Sequence, residues 1–214
     1  MGEKFMESTT TGRRSYCQRC LRPTAACVCV WIRSVPSDIE VAILQHPLER
    51  DNPKGTARLL HLSLPNSTLQ IGEQFSPDRS LYDSKRTTLL LYPALAGDSN
   101  ADVLAPVDAT PALGAKRLHL IVLDGTWRKS RKMLILNPWL RTLPRLALHH
   151  LPLSRYRIRI AAQPDHLSTL EATCHALLQL GQPAAPIERL LDAFVALMNQ
   201  LAAQTPRTSS RDTR

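Results

Sequence analysis

Aromatic residues are scarce in this sequence, at 5% of 214 positions. Any core must therefore be built mostly of Leu, Ile, Val and Ala. No window of about 18 consecutive apolar residues occurs, so no transmembrane helix is expected. The opening MGEKFMESTTTGRRSY has no apolar signal core, which argues for a cytoplasmic protein. Internal repeats and low-complexity tracts are also missing. A reducing compartment disfavours structural disulfides, so the five cysteines call for another explanation.

What is present is enough apolar material for a real core, 43% of the residues. The length suits one α/β domain with a small appendage, or two small domains. Lys and Arg total 27 against 18 Asp and Glu, a formal net charge of +9. Such an excess serves solubility or fits a polyanionic partner such as nucleic acid, and clustering of the charge favours the second.

Residues 1–15 and the tail 204–214 are polar and read as disordered. From Ile39 onward, short apolar runs alternate with helical patterns. IEVAILQ, TLQI, TTLLLY and LHLIVLD read as strands, with RLALHH as a candidate last one. The run Leu118–Asp124 is apolar on both faces, as suits a central strand of a parallel sheet covered on both sides. GTARLLHLSL, LSTLEATCHALLQL and PIERLLDAFVALMNQLAAQ carry helical spacing. AGDSNADVLAPVDATPALGA reads as a loop. Strands alternating with helices predict an α/β layered fold.

Cys17, Cys20, Cys27 and Cys29 form a C-x₂-C…C-x-C arrangement. Four thiolates this close can complete a tetrahedral zinc shell, closed and therefore structural; four reduced cysteines or two disulfides are the alternatives. Arg19 and Arg22 in the intervening loop would offset the charge of a four-thiolate site and could also touch phosphate. Cys174, in a late helix, reads as a small buried residue.

Asp124-Gly125-Thr126-Trp127 stands where the most confident strand ends. In parallel sheets, ligands bind beyond the carboxyl ends of strands. Gly125 allows a sharp turn or a close approach, and Thr126 is a good N-cap. A helical wheel places Trp127, Ser130, Met133 and Leu134 on a buried side and Arg128, Lys129, Arg131 and Lys132 on a basic face. That face is a solvated surface or a polyanion site. Arg155, Arg157 and Arg159 alternate in LSRYRIRI, on one side of an extended segment, as a phosphate track or a charge-protected edge strand. Ser168 and Glu171 have the spacing of a capping box; Ser168 and Thr169 could also present hydroxyls and amides to a ligand. His46, at another strand end, either contacts RNA or closes a turn.

Taken together, the cysteine cluster, HPLE (His46–Glu49), LLYP (Leu90–Pro93), LDGTW (Leu123–Trp127) with RKSRKML, NPWLRTLPR, YRIR and LSTLEA form an ordered set. In it the chain resembles the DTW-domain family, whose members include tRNA-uridine aminocarboxypropyltransferases. The resemblance implies an α/β fold that is SPOUT-like: a mostly parallel sheet with helices on both faces and a C-terminal trefoil knot, plus a small N-terminal zinc-binding segment. The expected division is a four-cysteine zinc segment at 16–34 and a catalytic domain at 35–203. The implied reaction moves the 3-amino-3-carboxypropyl group of S-adenosylmethionine to N3 of a tRNA uridine, with methylthioadenosine leaving. A SPOUT-type RNA methyltransferase and a non-catalytic zinc-bearing RNA-binding module are the competing readings.

On this reading Asp124 is the general base. Tyr92, Pro93, Ala94, Leu123, Asp124, Gly125, Thr126, Leu148, Leu151, Leu153, Ser168 and Thr169 surround the donor. Cys17, Cys20, Cys27 and Cys29 hold structural zinc. Arg128, Lys129, Arg131, Lys132, Arg155, Arg157, Arg159 and His46 face the tRNA. No membrane partner is expected, and monomer and homodimer are both open.

Overall fold

The computed structural model describes residues 15–83, 85–93, 103–104, 117–148 and 167–204. Its centre is a sheet of six strands: β1 (Glu40–Gln45), β2 (Ser67–Ile71), β3 (Arg86–Leu91), β4 (Val103–Leu104), β5 (Arg117–Asp124) and β6 (Arg145–Leu146). They lie in the order β2-β1-β5-β3-β6-β4, and every pairing is parallel.

The alternation of side chains along the strands divides the interior into two layers. Val41, Ile43, Leu120 and Val122 face one core with α1 (Ala57–Ser63). The long C-terminal helices, which we label α4 (Thr169–Gln179) and α5 (Ala184–Gln204), fill the same layer. Ala42, Leu44, Ile121 and Leu123 face the other, with α2 (Trp127–Leu136) and the short α3 (Pro138–Arg141). Helices thus cover both faces, and β5, buried from His119 to Asp124, is central. That is why its sequence is apolar without alternation. Truncating a fully enclosed residue such as Leu120 to Ala costs about 2–5 kcal/mol by the usual cavity argument.

The predicted strands and helices are all present, with two differences. RLALHH yields only the pair Arg145–Leu146 as strand, and His149 and His150 lie outside the described residues. Within the stretch read as a loop, Val103–Leu104 pairs with β6 and forms the outermost strand. A two-residue edge strand has too short an apolar period to stand out in sequence.

Both ends of α4 follow local chemistry. The capping box is complete: the Glu171 amide donates to Ser168 Oγ at 3.2 Å, and the Ser168 amide donates to Glu171 Oε2 at 2.9 Å. Gly181 takes φ +80° and ends α4, with the Gln182 amide donating back to the Leu177 carbonyl. No helix among the described residues is long and apolar enough to cross a membrane.

The cysteine segment packs against the core that holds α4 and α5, with Cys20 and Val28 fully buried there. Arg22 braces it to the loop before α1, donating to the carbonyls of Pro53 (3.0 Å) and Gly55. Arg22 is therefore engaged inside the protein, a correction to its reading as a phosphate contact.

Candidate active site

The carboxyl ends of β1, β5, β3 and β6 converge on one side of the sheet. Register places Asp124 directly beside Gln45. Gln45 Nε2 donates to Asp124 Oδ2 at 2.8 Å, and Thr169 Oγ1, at the start of α4, donates to Oδ1 at 2.6 Å. The His46 amide donates to the Asp124 carbonyl at 2.9 Å. Burial pushes the carboxyl's proton affinity above the usual aspartate range, against the pull of the Thr169 and Gln45 hydrogen bonds. A carboxylate with raised affinity is the better general base.

Gly125 and Thr126 then turn the chain into α2. A Cβ on Gly125 would sit 3.1 Å from Lys129 Cβ, so a larger residue would have to push the helix side chain away by a few tenths of an ångström. Thr126 caps α2, its hydroxyl accepting from the Lys129 amide at 3.4 Å.

Two hollows meet at this strand end. The larger, about 560 Å³, is mostly apolar and is lined by Tyr92, Pro93, Leu123, Gly125, Thr126, Leu148 and Thr169 of the expected donor set. Asp124 and Ser168 line the smaller one, about 190 Å³, rather than the larger. Gly125, Thr126, Leu167 and Thr169 belong to both walls. Ala94, Leu151 and Leu153 lie outside the described residues.

Several lining residues were not read from the sequence. Leu91, Val122, Leu146, Ala147, Leu167 and Ala172 supply apolar wall; nothing distinguishes them in sequence from core. Trp127 was expected to be buried, and this is corrected: it is 50% exposed, at the rim of the larger hollow, edge-on to Tyr92 with ring centroids 5.6 Å apart. The first residue of a helix stands at the sheet's end, where the layer stops and a wheel no longer predicts burial. Ser130, Met133 and Leu134 are buried as expected. Tyr92 is held by Ser130 (Oη to Oγ 3.2 Å) and by the Arg145 guanidinium, 5.6 Å above its ring. Arg145 is itself fully buried and donates to the Pro93 carbonyl at 2.9 Å.

The basic face of α2 is less uniform than its sequence. Lys129 Nζ lies 2.6 Å from Glu49, and Lys132 Nζ lies 2.7 Å from Glu73. Arg128, on the rim of the larger hollow, and Arg131 are exposed and make no ion pair among the described residues. His46 is buried: its Nδ1 accepts from the Leu48 amide at 3.2 Å and its Nε2 meets Glu73 at 2.7 Å. It closes the turn Pro47–Glu49. Arg155, Arg157 and Arg159 lie outside the described residues.

The Sγ atoms of Cys17, Cys20, Cys27 and Cys29 all lie within 4.8 Å of one another, with Cys17–Cys29 and Cys20–Cys27 at 3.7 Å. A tetrahedral ion with metal–sulfur bonds of about 2.3 Å needs sulfurs about 3.8 Å apart. These two pairs match that spacing, and the cluster could hold a metal ion. Backbone N–H groups of Cys20 and Arg19 favour the thiolate of Cys17, whereas burial and the neighbouring sulfurs push the Cys29 thiol up to about 12. Cys174 is buried in α4, away from this set.

Comparison with known proteins places the chain. Residues 14–202 match the family model described as DTW domain, and the chain belongs to that family. It is similar to tRNA-uridine aminocarboxypropyltransferase 2 of Macaca fascicularis, with 31% identity over 193 residues, covering 86% of this chain and 63% of the relative. The protein of the same name from Drosophila melanogaster is 32% identical over 178 residues, covering 78% and 68%. The tRNA-uridine aminocarboxypropyltransferase A of Arabidopsis thaliana is 30% identical over 135 residues, covering 56% and 50%. The chain thus spans only part of the length of the curated relatives it matches. No solved structure matches it.

Proposed function

We propose that this DTW-domain protein transfers the 3-amino-3-carboxypropyl group of S-adenosylmethionine to N3 of a uridine in tRNA. One observation carries the reading: Asp124, a buried carboxylate of raised proton affinity, lines a small polar hollow that shares Gly125, Thr126 and Thr169 with a large apolar one. The names of the relatives supply the reaction class.

The chemistry is an in-line displacement. Asp124 takes the N3–H proton of the uridine, and the N3 electron pair attacks the γ-carbon of the donor. The bond from that carbon to the sulfonium breaks, its pair stays on sulfur, and neutral methylthioadenosine leaves. Which of three carbons moves depends on which is held in line. The larger hollow is of nucleoside size and takes the adenosine part against Leu123, Tyr92 and Leu148. The uridine must leave its stack to reach the strand end. Trp127 at the rim offers an aromatic face, and Arg128 and Arg131, which make no ion pair among the described residues, offer charge for phosphates. Arg155, Arg157 and Arg159 would add to that track.

The finer class, a SPOUT-like fold with a C-terminal trefoil knot, rests on the sequence resemblance; a determined structure that traces the chain from β6 into α4 tests it. Residues 16–34 are read as a structural zinc segment and 35–203 as the catalytic domain, in a cytoplasmic protein. The closed four-sulfur set is suited to zinc in a structural role, and no catalytic step needs it.

The test is transfer to tRNA from donor carrying separate isotopes in the methyl and the aminocarboxypropyl groups. The expected result is label from the aminocarboxypropyl group in tRNA and methyl label in methylthioadenosine. Methyl label in tRNA establishes a methyltransferase instead, and no label in tRNA with tRNA still bound establishes a binding module.

A further inference from the structure

The smaller hollow has a composition unlike the larger. Its wall brings together Glu49, Asn52, Lys54, Asp124 and Ser168, with Gly125 and Thr169 at the shared partition. At about 190 Å³ it falls below the roughly 300–1,000 Å³ of sites for drug-sized ligands. A nucleoside does not fit; a four-carbon fragment with a few waters does.

Two opposite charges stand in that wall. The Glu49 carboxylate is nearly enclosed, and although burial opposes its ionisation, Lys129 and Asn52 hold it charged. Each of its oxygens accepts one hydrogen bond there, so lone pairs remain for a further donor. Lys54 lines the same hollow, is exposed, and makes no ion pair among the described residues. Ser168 lines the same wall. A fixed anion and an open cation in one small hollow match a zwitterion.

We propose that this second hollow is the site for the α-amino and α-carboxylate groups of the donor, with Glu49 taking the ammonium and Lys54 the carboxylate, so that Glu49 and Lys54 determine which group is transferred. The inference rests on the reading of the larger hollow as the nucleoside site. A donor pinned at both ends crosses the partition of Gly125 and Thr169 with its γ-carbon beside Asp124. The methyl group, which neither hollow holds, is left out of line. The brace from Arg22 to Pro53 and Gly55 fixes the loop that carries Lys54.

The test is calorimetric binding of S-adenosylmethionine, its decarboxylated analogue and methylthioadenosine to the wild type, Glu49→Gln and Lys54→Gln. Methylthioadenosine fills only the larger hollow and reports on its integrity. Each substitution is expected to weaken S-adenosylmethionine roughly tenfold or more, the worth of a charge-assisted hydrogen bond, and to leave methylthioadenosine within about twofold. Lys54→Gln should also abolish the wild type's preference for S-adenosylmethionine over the decarboxylated analogue. Unchanged S-adenosylmethionine binding in Lys54→Gln, with methylthioadenosine still bound, overturns this inference alone. A wild type that binds neither nucleoside overturns the larger hollow's reading and this inference with it. Glu49 also pairs with Lys129, so a loss of methylthioadenosine binding in Glu49→Gln alone removes Glu49 from the proposal and leaves Lys54 to decide it.

Discussion

Asp124 draws its chemistry from what surrounds it. Removed from water, the carboxylate loses hydration, and two neutral donors, Gln45 and Thr169, return only part of it. His119, five residues earlier on the same strand, shows the opposite sign of the same effect. Burial first, and then the positive Arg86, lower its proton affinity to about 4. Unfolded, the imidazole titrates at about 6.5. Between those values the unfolded chain binds a proton that the folded one refuses, so stability falls as pH drops through that window. His119→Gln should flatten the decline of the melting temperature between about pH 7 and pH 4.5 relative to the wild type; equal declines in both proteins contradict this burial account. At this scale the sequence was informative where a residue's type is rare for its place. A carboxylate ending an apolar strand and four clustered cysteines stood out. Gln45, Arg145 and Lys54 did not, because nothing in the order of residues says which side chains meet across strands.

The elements were more legible than the residues, since each carries its own period or cap. β5 is apolar throughout because both faces are covered. Ser168 and Glu171 announced the start of α4, and they make both hydrogen bonds of the box. The wheel of α2 held for Ser130, Met133 and Leu134 and failed at Trp127, where the helix begins beyond the sheet. Its cations were read as one face, yet Lys129 and Lys132 meet Glu49 and Glu73, which are distant in sequence. The cysteine segment is too short to enclose a core of its own. One zinc ion per chain is therefore expected by metal analysis. Cys20→Ser should lose it and lower the melting temperature by about 5–10 °C, as removal of a structural ion worth a few kcal/mol does. An unaltered melting temperature in a metal-free Cys20→Ser protein contradicts a structural metal.

At the scale of the molecule, the order β2-β1-β5-β3-β6-β4 decides where function can sit. Parallel strands deliver all their carboxyl ends to one side, and loops of that side can reach a common ligand. Strand order is set by which crossovers pack, which no local pattern records. The alternation of strands and helices therefore predicted the fold class but not the neighbours of β5. That arrangement sets Asp124 next to Gln45 on β1 and Thr169 on α4, in the wall of the smaller hollow and one residue before Gly125, which both hollows share. The central claim is that this carboxylate removes the uridine proton. Asp124→Asn keeps the shape and removes the base. Single-turnover transfer by that variant is the direct measurement: the account predicts a loss of about 10²-fold or more in rate, with methylthioadenosine and tRNA affinities within about twofold of the wild type. Transfer at the wild-type rate contradicts it.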